Sequence, residues 1–288
     1  MSKLFKRTLL LIIAIFVLLV LYAGFIEPSR LIVTEITVSN GNALEYADSI
    51  IVAVFADTHF SNFYKPGDFE KVITTINSKN PDIILFCGDL IDDYSTYEGD
   101  TEEIAKALSR LSATIGKFAV YGNHDHGGGA HRSFINIMES GGFQVLINET
   151  VEFEDIRLKL HGIDDFVLGR GNIEFIRENA SNDYFNLVFS HVPDIVDSII
   201  GEGVDLMVAA HTHGGQINIG QANFPSLRHV FFPPYGRQYT KGLFGFPDET
   251  MLYVNSGVAA TIVPLRFMAP PEVTFFVIQP EKLSLQQE

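Results

Sequence analysis

The chain has 288 residues, of which 47% are hydrophobic and 19% charged, enough for one large domain with a sizeable core. Its net charge of −15, from 35 acidic against 20 basic side chains, repels a polyanion at long range and sets nucleic acid aside as a partner. The single cysteine, Cys87, excludes an intramolecular disulfide and a thiolate zinc cluster, and 24 glycines with 12 prolines are ordinary usage rather than low complexity.

At the N-terminus Lys3, Lys6 and Arg7 precede an uncharged run from Leu9 to Ile26. A helix of about 18 to 20 such residues crosses a hydrocarbon core of roughly 30 Å. A cleaved signal peptide has a shorter apolar region, usually about 7 to 15 residues. The end of this run, Leu21-Tyr22-Ala23-Gly24, also offers no small-x-small cleavage site. The expectation is therefore a basic cytoplasmic N-terminus over 1–7, a transmembrane signal anchor over 8–26 and one catalytic domain over 31–288. Basic residues are retained inside, so the domain is expected on the extracytoplasmic side of a bacterial cytoplasmic (inner) membrane, held by a single pass.

Beyond the anchor, Leu31 to Val38 alternates like a half-buried strand. Five apolar runs then end in polar clusters: 50–57 at Asp57, 82–89 at Asp89, 117–125 at Asp125, 186–191 at His191 and 204–213 at His213. Their β-branched and aromatic content predicts buried central strands, with Cys87 a small core residue in the second. Helices are predicted over Asp68–Lys79, Thr101–Leu111, His131–Ser140 and Pro193–Ile200, with Asp68 and Thr101 as N-caps. Val145 to Gly162 and Met251 to Ile278 are expected to form hairpins. Strand–helix alternation with hairpins predicts an α/β fold with mixed sheets and a site at the carboxyl ends of the strands.

Every one of the five strand ends carries candidate metal ligands: Asp57-Thr58-His59, Gly88-Asp89 followed by Asp92, Gly122-Asn123-His124-Asp125, His191, and His211-Thr212-His213-Gly214-Gly215-Gln216. Each alone is a weak signal, but five in order, each after an apolar run, are not. Mixed oxygen and imidazole donors without thiolate suit manganese, iron or zinc. A carboxylate such as Asp89 can bridge two cations. Two ions about 3.5 to 4 Å apart can ionise a bridging water and clamp a phosphoryl group during in-line displacement. Glycines at 88, 122, 214 and 215 would let the backbone turn beside the metals.

These blocks closely resemble the calcineurin-like metallophosphoesterases, whose pattern D-x-H, G-D-x-x-D, G-N-H-[DE], H, G-H-x-H is matched from Asp57 to His213. One departure is Ala210 in place of glycine. The His211–Gln216 ending, Ser190–Asp194 and Pro264–Glu272 resemble the membrane-associated bacterial branch. The resemblance implies a four-layer α/β/β/α sandwich and two divalent ions. Asp57, His59 and His213 would hold one, Asn123, His191 and His211 the other, and Asp89 both. It implies His124 as acid or transition-state stabiliser, with Asp125 and Asp92 orienting the groups around it. The bland alternative for Asp92 is a solvated loop carboxylate.

Other features carry a bland and a sharp reading. His126 and His131, either side of Gly127-Gly128-Gly129, are surface imidazoles or substrate contacts, and His161 caps a turn. The loop at His229 and Phe231-Phe232-Pro233-Pro234-Tyr235 packs on the core or touches lipid. Arg237, Lys241 and Arg266 are ordinary surface cations or bind a second phosphate or a head group. The function expected is a phosphodiesterase or pyrophosphatase on a membrane-linked phosphate, for which UDP-diacylglucosamine-type lipids are one candidate. A phosphomonoesterase or phosphoprotein phosphatase is the alternative, and a non-catalytic envelope-binding protein a second.

Overall fold

The computed structural model describes residues 2–40, 49–127, 130–218 and 235–280. The aromatic loop expected at His229 and Phe231–Pro234 lies outside the described residues, as do Gly128 and Gly129. Two six-stranded sheets form the body. In the first the order is β1 (Ile32–Asn40), β12 (Glu272–Pro280), β2 (Ile50–Phe55), β3 (Ile83–Phe86), β4 (Gly116–Ala119) and β5 (Gln144–Val145). In the second it is β10 (Gly242–Gly245), β11 (Met251–Val254), β9 (Leu206–Ala209), β8 (Phe185–Phe189), β7 (Leu158–Gly162) and β6 (Glu149–Phe153). Both sheets are mixed: β2 to β5 are parallel, as are β7, β8, β9 and β11, with antiparallel pairs at β12–β2, β10–β11 and β6–β7.

The strands read as unbroken apolar runs because both of their faces are covered. Along β2, Val52 and Val54 point into the seam between the sheets while Ala53 and Phe55 face the helices. Ile83 and Leu85 alternate with Ile84 and Phe86 on β3 in the same way. Leu206 and Val208 of β9 enter the seam, and Met207 and Ala209 point to the far layer. Helices α2 (Glu70–Asn77), α3 (Thr101–Ser109) and α5 (His131–Ser140) cover the first sheet, and α4 (Asn123–His126) is a single turn beyond the end of β4. The short helix α6 (Glu174–Asn179) and a 3-10 segment at Pro193–Ser198 cover the second. The result is the four-layer α/β/β/α sandwich.

Local differences from the sequence reading have local causes. Asp100, not Thr101, caps α3, because its carboxylate accepts from Glu102 N at 2.8 Å. Asp68 instead closes a turn on Lys65 N at 2.8 Å, and α2 starts later without a side-chain cap. The Met251–Ile278 stretch is not a hairpin, since β11 and β12 belong to different sheets; β10 and β11 form the hairpin there. The Val145–Gly162 stretch does contain one, β6 with β7.

Before the sandwich, α1 (Lys3–Leu21) runs on through a π-helical turn at Tyr22–Ile26 and a 3-10 turn at Glu27–Ser29. This 27-residue helix is long and apolar enough to cross a membrane, and almost all of it is exposed. Only its last turns touch the body. Arg266 N donates to Ala23 O at 2.9 Å, and Ala269 N donates to the buried Glu27 carboxylate at 2.8 Å.

Candidate metal centre

Strands β2, β3 and β4 are neighbours in one sheet and β8 and β9 in the other, and their carboxyl ends meet at one edge of the seam. The chain leaves these strands through left-handed backbone at the very residues that bear the donors: φ is 51° at Asp57, 36° at His59, 61° at Asp89, 70° at His211 and 52° at His213. Residues other than glycine seldom adopt this region, and each such case costs on the order of 1–3 kcal/mol. The turns bend the side chains inward, away from the strand direction.

Two groups of donors result. In the first, Asp57, His59 and His213 offer atoms within 4.8 Å of one another. His213 Nδ1 is 3.0 Å from Ala259 O, so it donates there and Nε2 is left with a bare lone pair. His59 Nδ1 lies 3.0 Å from Asp92 Oδ1, a charge contact without hydrogen-bond geometry that favours the proton on Nδ1 and leaves Nε2 bare as well. These two lone pairs face each other at 3.1 Å, beside an Asp57 carboxylate whose oxygens are both buried without a hydrogen-bond partner.

The second group is Asp89, His191 and His211, again within 4.8 Å, with Asn123 beside them. His191 Nδ1 donates to Cys87 O at 2.8 Å. Its Nε2 therefore faces the acceptors Asp89 Oδ2 at 3.2 Å and Asn123 Oδ1 at 3.2 Å, with His211 Nδ1 at 3.0 Å. Asp89 Oδ2 is also 3.5 Å from His59 Nε2, so one carboxylate stands between the two groups.

Acceptors aimed at one another inside a protein repel unless positive charge lies among them. The charge state says the same. Burial holds the Asp57 carboxyl up at about 6. Burial also opposes the charged form of His191, yet Asp89 prevails and lifts that imidazole to about 10. Divalent cations meet both demands, and the oxygen and imidazole donors fit them.

Around the donors sit the groups that aim them. Asp125 is fully buried and accepts from Gly122 N at 2.9 Å, Asp89 N at 2.7 Å and Leu90 N at 2.9 Å, which locks the β3 and β4 loops together. Burial, and then Asp89, raise its carboxyl to about 7 against those three donors. Asp92 is not a free loop carboxylate: it lies against His59 Nδ1 and accepts from Thr261 Oγ1 at 2.7 Å. His124 donates through Nδ1 to Asp92 O and through its backbone to Asp89 Oδ1 at 2.9 Å, leaving Nε2 for a ligand. Gly122 has extended backbone, not a tight turn. A side chain there would place its first carbon 2.2 Å from Asp89 Oδ1.

Sequence reasoning missed the loop after β11. Gly257 (φ 67°) lies so near Asp57 that a Cβ would fall 2.5 Å from Oδ2. Arg266, expected on the surface, is completely buried. Its guanidinium donates to Ala259 O at 2.5 Å, Ser256 O at 2.9 Å and Ala269 O at 2.8 Å, and so fixes the carbonyl that orients His213. Its partners are backbone carbonyls, which carry no sequence signal, so it cannot bind a second phosphate or a head group. His161 does not cap a turn; it is buried within β7 between Thr150 Oγ1 at 2.8 Å and Asn186 Oδ1 at 3.3 Å. His126 and His131 stack on Tyr121, and His126 pairs with Asp164 at 2.6 Å.

Residues 50–215 match the family model described as calcineurin-like phosphoesterase. The uncharacterized metallophosphoesterase YkuE of Bacillus subtilis (strain 168) is 35% identical over 90% of this chain and 89% of its own. The UDP-2,3-diacylglucosamine pyrophosphatase LpxG of Chlamydia muridarum (strain MoPn / Nigg) is 23% identical over 91% of this chain and 93% of its own. The solved phosphopantetheinyl hydrolase PptH of Mycobacterium tuberculosis is 10% identical, with a TM-score of 0.43 over 78% of this chain and 98% of that one.

Proposed function

Because the chain belongs to the calcineurin-like phosphoesterases and is a metal-dependent phosphoester hydrolase, we propose that it is a phosphodiesterase or pyrophosphatase acting on a membrane-linked phosphate. The observation that carries the chemistry is the pair of buried carboxylate and imidazole clusters sharing Asp89. The observation that favours a membrane-linked substrate is the apolar helix whose last turns are bonded to the loop beside those clusters. That LpxG is a pyrophosphatase of a diacylated sugar nucleotide is consistent with this reading.

In this reading Asp57, His59 and His213 would hold one divalent ion and Asn123, His191 and His211 the other, with Asp89 available to both. When bound, the ions supply Lewis-acid polarisation of the phosphoryl oxygens and acidify water, and manganese, iron or zinc all suit these donors. His124, fixed through Nδ1 by Asp92 O, presents Nε2 to the leaving oxygen as hydrogen-bond donor and acid. Asp92 orients His59, and Asp125 holds the Asp89 loop at its distance from the β4 loop.

Parallel assays with bis-p-nitrophenyl phosphate and p-nitrophenyl phosphate, both with manganese, test the bond class. The diester is expected to turn over faster, and a preference for the monoester replaces this proposal with a phosphomonoesterase. The basic N-terminus favours a sandwich outside the cytoplasm. A reporter fused after Glu288 should be active only there, and a cytoplasmic signal reverses the orientation.

A further inference from the structure

The loop between β11 and β12 leaves the metal centre and returns to it, and its outer edge is apolar. Ile262 is 88% exposed, Met268 61% and Val263 43%. Two of these residues also occupy left-handed backbone, Ile262 at φ 62° and Met268 at φ 57°. A β-branched residue there is a true outlier, and water gives no return for presenting it. The same loop is bound to the end of the apolar helix by the bonds from Arg266 N to Ala23 O and from Ala269 N to Glu27. The rings of Tyr22 and Phe267 add an edge contact at 6.1 Å. Next to these attachments the helix exposes Phe25 (76%) and Ile26 (52%).

We propose that Ile262, Val263 and Met268, together with Phe25 and Ile26, form a seat that rests in the headgroup boundary of a phospholipid bilayer. The occupant follows from continuity: the patch begins where the span ends, so a helix that crosses a bilayer leaves these side chains at its surface. The inference rests on the membrane-spanning reading of that helix. It goes further by fixing how the sandwich stands on the membrane. Thr261, next to Ile262, donates to Asp92, and Gln216 Nε2 donates to Thr261 O at 2.9 Å and Val263 O at 3.1 Å. The seat is thus a few bonds from the metal centre, and phosphates carried on lipid reach the centre without leaving the surface.

The chain has no tryptophan, so a single introduced one reports alone. Full-length Met268→Trp and, separately, Val263→Trp are reconstituted in phosphatidylcholine vesicles containing lipids brominated at shallow or deep acyl positions. Phe16→Trp reports on the span, and Tyr184→Trp, immediately before β8 and opposite the site, should stay unquenched. Variants are used that hydrolyse bis-p-nitrophenyl phosphate within about twofold of the native chain. The seat requires that shallow bromines cut the indole fluorescence of the Met268→Trp or the Val263→Trp chain at least twofold, and that deep ones cut it less. Quenching at position 16 with none at positions 263 and 268 overturns the seat and leaves the span standing. No quenching at position 16 overturns the span, and with it the seat that rests on it.

Discussion

At the residue scale, the proposed roles separate groups that would hold metal from groups that would face the phosphate, and the two can be told apart. Asp89→Ala and His124→Ala should each lower turnover roughly 10²-fold or more, the range for losing a metal ligand or an acid. Elemental analysis should find metal lost only from the Asp89 variant; near-native turnover in both would refute the roles. Arg266→Met removes the guanidinium from three backbone carbonyls and leaves two of them, Ser256 O and Ala269 O, without a donor, a buried loss that costs about 2 kcal/mol or more. A denaturant midpoint unchanged from native would show that those bonds contribute nothing. The contrast between these residues explains what a sequence discloses. Asp57, His59, Asp89, Asn123, His191, His211 and His213 each follow an apolar run and can be found by eye. Arg266 and Gly257 act on Ala259 O and Asp57 through space, and nothing adjacent to them in the chain announces it.

At the element scale, strands are legible wherever both faces are buried, as in β2, β3, β8 and β9. Pairing is not, because β11 and β12 are consecutive strands in different sheets, a decision made by packing across the seam rather than by turn chemistry. His161 gives β7 a pH signature. Burial lowers its pKa to about 4, below the ordinary 6.5, so the folded strand favours the neutral ring. The contribution is complete above pH 6.5 and is lost as the pH falls towards 4, with a magnitude on the order of 3 kcal/mol. With metal chelated, the urea midpoint should fall across that window, and His161→Gln should flatten the fall. An identical slope in the variant would assign the pH dependence elsewhere.

At the scale of the whole molecule, the metal centre joins the carboxyl edges of both sheets, so occupancy and global stability are linked. An ion at a hundred times its dissociation constant adds about 2.7 kcal/mol. Chelation should lower Tm by roughly 5 °C or more and added manganese should restore it; a Tm indifferent to both would mean the sheets do not depend on the ions. The order of the strands also constrains how the molecule is made. β1 directly follows the helix, yet among the described residues its one partner is β12, matched residue for residue from Ile32 with Glu272 to Asn40 with Pro280. While the chain is still being synthesised, the first strand to emerge waits as an open edge until the last has arrived. A translation arrest anywhere before residue 272 therefore leaves an unclosed sheet with an open edge, the kind of species that quality-control proteases recognise.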